Sequence, residues 1–115
     1  MFNFEKLEVW QKAVLFAGSI YKATKPFPAE ERFGLTTQIR RAATSIASNI
    51  AEGSARPPAD FARFIGYAAG SVHEVVTQTT MARNEGFLAP ATHEQLYRDA
   101  EEISRMLSGL RKSLE

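Results

Sequence analysis

The chain has 115 residues, 44% of them hydrophobic, with no cysteine and a formal net charge of +1. A chain of this size folds as one domain around a core of its own. The lack of cysteine excludes disulfides, thiolate zinc sites and thiol redox chemistry, and the near-neutral balance excludes a binder of nucleic acid that works by bulk positive charge.

The balance is uneven along the chain. Residues 1–56 carry eight Lys or Arg against five acids, and residues 57–115 carry six against eight. No apolar run approaches the ~20 residues of a membrane span. The opening MFNFEKLEVW is amphipathic from the start, unlike the basic-then-apolar run of a secretory signal. The expectation is a soluble, cytoplasmic protein with no membrane partner.

The first predicted helix covers about 5–25. Leu7, Trp10, Val14, Ala17, Tyr21 and Thr24 recur at three- and four-residue steps, leaving Glu5, Lys6, Glu8, Lys12 and Lys22 on a wet side. It ends at Lys25-Pro26-Phe27-Pro28, where Pro26 pushes Lys25 out of the helical region and Pro28 suits the first position of the next helix. Glu30 and Glu31 then fall where a helix N-terminus favours acids.

The second predicted helix covers 29–54. Leu35, Ile39, Ala42, Ala43, Ile46, Ile50 and Gly53 form one apolar stripe. The opposite face holds Thr37, Thr44, Ser48 and Ala51, flanked by Arg40 and Arg41. Small hydroxylated residues in place of Lys and Glu permit close approach of another backbone, so both faces are expected to be packed. Gly53 is predicted to end the helix as a left-handed cap before Pro57-Pro58.

The third helix covers 59–85, with Phe61, Ile65, Ala68, Val72, Val75, Thr79 and Ala82 as its stripe. Gly66 and Gly70 form a small-xxx-small pair despite a cost of about 1 kcal/mol each in helix propensity. Gly86 is expected at the position after the C-cap. Thr92 and Gln95 resemble a capping box opening a fourth helix over 92–113, whose seam is Leu96, Ala100, Ile103, Leu107, Leu110 and Leu114. Its other faces are charged. Four helices with short connections predict an all-α, antiparallel up-down-up-down four-helix bundle. The third helix has Glu74 as its only formal charge between Phe64 and Ala82 and, like the second, is read as enclosed on most sides, so the two predict self-association through Thr37, Thr44, Ser48, Ala51, Gly66 and Gly70.

No catalytic or cofactor constellation emerges. His73-Glu74 and His93-Glu94 do not extend to HExxH, and no Glu-x-x-His occurs; both histidines are read as polar helix-edge or surface residues. No serine sits in a nucleophile elbow, and no glycine-rich phosphate loop is present. No metal, cofactor or catalytic residue is expected. Glu52 is read as a helix-end acid paired with a neighbouring arginine. Arg40 and Arg41 project about 100° apart on the helix. They are read either as phosphate contacts, with Arg56 and Arg63 as helpers, or as partners of nearby acids.

Several motifs together resemble one family. These are F-x-x-L-x-V-W from Phe4 to Trp10, F-P-x-E-E-x-F-G-L from Phe27 to Leu35, Q-I-R-R-A-A from Gln38, S-I-A-S-N-I-A-E-G from Ser45 to Gly53, and G-S-V-H-E from Gly70. In this order they resemble the bacterial four-helix bundle proteins that include the 23S ribosomal RNA intervening-sequence proteins. That resemblance implies a homopentameric barrel. It extends to the accessory variability determinants of diversity-generating retroelements, whose likeness implies binding of nucleic acid and of a reverse transcriptase. Two readings follow: a non-enzymatic homo-oligomer that binds RNA or DNA, and a structural adaptor for a protein partner such as a reverse transcriptase.

Overall fold

The computed structural model describes all residues 1–115 and contains no strand. A short 3-10 turn at Asn3–Lys6 precedes α1 (Glu8–Thr24), and a second at Ala29–Glu31 precedes α2 (Leu35–Ser54); α3 (Pro58–Asn84) and α4 (Pro90–Ser113) complete the chain. Short connections make successive helices antiparallel. α1 packs on α2 and α4, and α3 packs on α2 and α4, so the four stand in a square in chain order with α2 and α3 in the most extensive contact. The bundle measures 42 × 22 × 22 Å.

The core follows the helical period. Ile39, Ile46 and Ile50 of α2, Ile65, Val72 and Val75 of α3, and Ile103 and Leu107 of α4 are completely or almost completely shielded from solvent. The whole predicted stripe of α3 is buried, from Phe61 to Ala82. On α4, Leu96, Ala100, Ile103 and Leu107 are buried and Leu110 and Leu114 are half-buried. On α1 the phase differs from the expectation: Val9, Ala13, Phe16, Ile20 and Thr24 face the core. Val14 and Tyr21, assigned to the stripe, are each 43% exposed. The middle of this helix, Ala13 to Gly18, is an unbroken run without a polar residue, so the local pattern gives the period no polar side there to fix it.

Three boundaries also differ. α2 begins at Leu35 and not at Ala29. Pro28 instead caps the 3-10 turn, and the chain bends through Arg32-Phe33-Gly34 before the helix starts. Glu31 nevertheless serves that N-terminus, since its Oε1 accepts the Leu35 N–H at 3.1 Å. α4 begins at Pro90, in the first helical position, with Ala89 as N-cap and no side-chain cap, so Thr92 and Gln95 form no capping box. Gly53 is not a left-handed cap; the one glycine with positive φ is Gly86, at 78°. There the Phe87 N–H reaches the Ala82 carbonyl and the Gly86 N–H the Arg83 carbonyl, both at 2.9 Å, closing α3 as the sequence predicts.

Gly53 lies inside α2 and is buried for a different reason. A Cβ placed on it would come within 2.5 Å of the Phe64 Cβ and 3.1 Å of the Phe61 ring. The two backbones therefore meet at the base of the α2–α3 hairpin at a separation only glycine permits. Further along, the Ser45 hydroxyl donates to the Ala42 carbonyl at 2.8 Å and accepts from the Ser71 hydroxyl 2.5 Å away, tying the same pair of helices.

His93 is the remaining correction. It is 9% exposed and not a surface residue. Its Nε2 lies 3.3 Å from Thr80 Oγ1. The Thr80 hydroxyl spends its single proton on the Val76 carbonyl at 2.7 Å, so its oxygen accepts from the neutral imidazole. Burial, and then the positive charge of Arg83, hold the pKa of His93 below its ordinary 6.5. The unfolded chain thus takes up this proton more readily than the folded one. The stabilisation is complete above pH 6.5, falls as the pH drops below that value, and levels off once the folded-state group also protonates. Thermal unfolding between pH 7.5 and 5.5 is expected to show this decline, and His93→Gln, which keeps a donor for Thr80, is expected to flatten it.

Candidate nucleic-acid interface

The α2 arginines lie on separate shoulders of the helix. Arg40 turns toward α1 and is held firmly there. Its Nε donates to Thr24 Oγ1 at 2.9 Å, its Nη2 reaches the Tyr21 carbonyl at 3.4 Å, and its guanidinium lies 4.7 Å from the centre of the Tyr21 ring. Thr24 is buried at the end of α1 and its own hydroxyl donates to the Ile20 carbonyl at 2.8 Å. Arg40 therefore has a hydrogen-bonded and stacked position without any carboxylate. Arg41 is exposed and makes neither an ion pair nor a hydrogen bond through its side chain.

Arg56 and Arg63 are elsewhere. At 1.5 Å per residue, about 24 Å of chain in helical register separates Arg40 from Arg56. Both flank the Phe64 ring, at 4.7 Å and 5.8 Å from its centre. Each also has an acid: Arg56 reaches Glu52 at 3.4 Å and Arg63 reaches Asp60 at 3.1 Å. Glu52 thus has the helix-end role read for it. Within one chain the four arginines do not form one patch. One pair marks the α1–α2 end of the bundle, the other seals the α2–α3 turn.

The remaining ion pairs are Lys12–Glu102 at 2.6 Å, between α1 and α4, and Arg98–Glu94 at 3.7 Å along α4. Lys25 and Arg32, in the α1–α2 connection, are exposed and lack a carboxylate partner, as Arg40 and Arg41 do. Four of the cations without a carboxylate partner thus lie toward this end of the molecule. Sequence reasoning misses both, since it reads Lys25 only as the end of the first helix and leaves Arg32 inside the second, whereas the structure brings both near Arg40.

The small-residue face is open in the single chain. Thr44 and Ser48 are exposed, Ala51 is half-buried, and Thr37 is half-buried with its hydroxyl donating to the Arg32 carbonyl. A Cβ on Gly70 would meet nothing within 4 Å, and one on Gly66 would meet only the tip of Arg111 at 3.8 Å. Neither glycine is required by packing inside the subunit. His73 and Glu74 are exposed beside Gly70, on the same helix. Asn49 is half-buried and donates to the Ser45 carbonyl at 2.8 Å, within its own helix. No group of three or more His, Asp and Glu side chains is placed to hold a metal ion, and no helix is long and apolar enough to cross a membrane.

The fold and its charges define a compact antiparallel helical bundle with a bare face on its central hairpin and a group of four unpaired cations around the α1–α2 connection. The same bundle is found in a crystal structure at 1.70 Å of a protein of unknown function, from the S23 ribosomal protein family of Bacteroides thetaiotaomicron. The two align with a TM-score of 0.80 at 26% identity, covering 90% of this chain and 98% of that one. No curated protein matches the sequence. The family described as 23S rRNA-intervening sequence protein matches residues 5–109. The chain belongs to that family.

Proposed function

We propose that the protein is a non-enzymatic homo-oligomeric bundle, assembled as a pentameric barrel, that binds RNA or DNA through Arg40 and Arg41. One observation carries the nucleic-acid part. Of the cations without a carboxylate partner, Lys25, Arg32 and Arg40 are gathered at one hollow beside the α1–α2 connection, with Arg41 next to them on α2. Guanidinium groups without a competing acid suit phosphate, which they can engage bidentately. Repetition of that end around an oligomer multiplies a modest charge into a basic band. Arg56 and Arg63, each already paired with an acid, contribute less. The histidines support a non-enzymatic role: His93 is bonded to Thr80, and His73 is exposed on a helix surface.

Self-association is supported by the open α2–α3 face, where Gly66 and Gly70 sit although nothing in the subunit needs their lack of a side chain. A second reading, an adaptor for a protein partner such as a reverse transcriptase, is favoured by α1. Leu15 is 74% exposed between the half-exposed Val14 and the open Gly18, an apolar strip with no counterpart inside the chain.

Binding of a short RNA, followed by fluorescence anisotropy across a salt series, is expected to show log K falling by about 0.7 per phosphate contact per log unit of salt. Arg40→Ala with Arg41→Ala is expected to shallow that slope by one to two such contacts while leaving the helical circular dichroism unchanged. An unaltered slope removes the two arginines from the proposal. For assembly, Gly70→Ala adds a methyl group that a single chain has room for and that improves helix propensity by about 1 kcal/mol. Sedimentation of this variant is expected to show dissociation at higher concentration than the parent. A more stable protein with an unchanged mass would place the interface elsewhere.

A further inference from the structure

A concavity of about 330 Å³ opens between the end of α1, the α1–α2 connection and the first turns of α2. Lys25, Arg32 and Arg40 form its wall together with Thr24, Thr36 and Phe27, and no acid contributes to it. We propose that this concavity is a binding site for a phosphate dianion, and that its source is the terminal phosphate of an RNA. In naming RNA the proposal rests on the nucleic-acid reading above; the affinity of the pocket for phosphate does not.

Three features argue for it. The first is charge. Three cations converge on one hollow, and none of them takes part in the four ion pairs of the molecule. The acids nearest in sequence are Glu30, which is exposed, and Glu31, whose carboxylate is turned to the Leu35 N–H at 3.1 Å. A phosphomonoester carries about −1.5 to −2 at neutral pH, whereas a backbone diester carries one charge. Three unpaired cations match the former better.

The second feature is preorganisation. Arg40 is fixed by Thr24, by the Tyr21 carbonyl and by the Tyr21 ring, so its guanidinium needs little further ordering to meet an anion. Phe27 is 8% exposed, and prolines stand on both sides of it, so the wall beneath the ion is stiff. Lys25 and Arg32 are exposed and make no hydrogen bond or ion pair through their side chains, leaving them free to close over the ligand.

The third feature is an orphan. Thr36 is 8% exposed, and its hydroxyl has no hydrogen-bond partner. A buried hydroxyl left unsatisfied is unfavourable and calls for an explanation. Thr36 lines the hollow, and threonine in a helix divides between two χ1 rotamers, so a rotamer change on binding would let a phosphate oxygen accept its proton. A valine would fill the same space without that unfavourable contribution.

The test uses the full chain at constant ionic strength, with inorganic phosphate followed by calorimetry. Two short RNAs, identical except for a 5′-phosphate or a 5′-hydroxyl, are compared by anisotropy. Inorganic phosphate is expected to bind saturably, and Lys25→Ala with Arg32→Ala to weaken it by about tenfold or more. The phosphorylated RNA is expected to bind about tenfold more tightly than its hydroxyl counterpart, a preference that the double substitution removes. Thr36→Val is expected to raise the melting temperature in chloride and to diminish the further rise that phosphate gives; a rise in chloride with the phosphate effect intact would remove Thr36 from the site. Absence of saturable phosphate binding overturns the pocket, whether or not RNA binds. Saturable phosphate binding with no discrimination between the two RNAs supports the pocket and overturns its assignment to RNA ends. Phosphate binding with no RNA binding at all leaves the pocket standing and overturns the nucleic-acid reading.

Discussion

At the base of the central hairpin, the backbone of α2 runs so close to α3 that a Cβ on Gly53 would stand 2.5 Å from the Cβ of Phe64. The rest of the bundle is aligned by that approach. Going up from it, Ala42, Ala43 and Ala68 are buried with little or no exposure and Ser45 meets Ser71, so small residues keep the pair close along its length. The isoleucines of α2 and the valines of α3 then face inward together, and α1 and α4 close the remaining sides. Near the turn, the Phe64 ring is flanked by Arg56 and Arg63 and by Tyr67 at 5.4 Å, edge to face. Those two arginines have structural duties, which leaves the other end of α2 to carry the free charge.

The far end is set by the bend between α1 and α2. Phe27 packs against Phe87 at 5.9 Å, joining the α1–α2 and α3–α4 connections into one cap. Because α2 starts only at Leu35, the segment before it carries Arg32 to the end of α1, where Lys25 at the α1 C-cap and Arg40 already lie. A continuous helix from Ala29 would project Arg32 from its own axis instead. The late helix start therefore adds Arg32 to the cationic hollow.

Much of this fold is legible in the sequence, and the failures have physical causes. On α3 and α4 the residues read as apolar stripes at helical spacing are the ones that turn inward, wholly on α3 and with Leu110 and Leu114 half-buried on α4. α1 carries apolar residues on nearly every side, including Leu15 and Val14, which stay exposed; its phase is decided by neighbours that the local pattern does not contain. Gly53 before a proline pair has the composition of a cap, yet its role depends on Phe64, which is distant in sequence. His93 lies among polar neighbours and is buried by Thr80 of another helix. The arginines of α2 were readable as candidates from their position, but not their division between a held Arg40 and a free Arg41. The cationic hollow was not readable, since its wall joins three segments. The family was readable from its motifs, and residues 5–109 match it.

The close approach at Gly53 can be tested by one substitution. Alanine at an open helical position is favoured over glycine by about 1 kcal/mol, whereas forcing a methyl group into a site without room costs about 1–3 kcal/mol. Chemical denaturation of Gly53→Ala is expected to show net destabilisation, because the group it meets is the Cβ of Phe64 and not the flexible end of a side chain. A variant more stable than the parent would mean that the hairpin is not held at glycine distance, and the alignment attributed to it would fail.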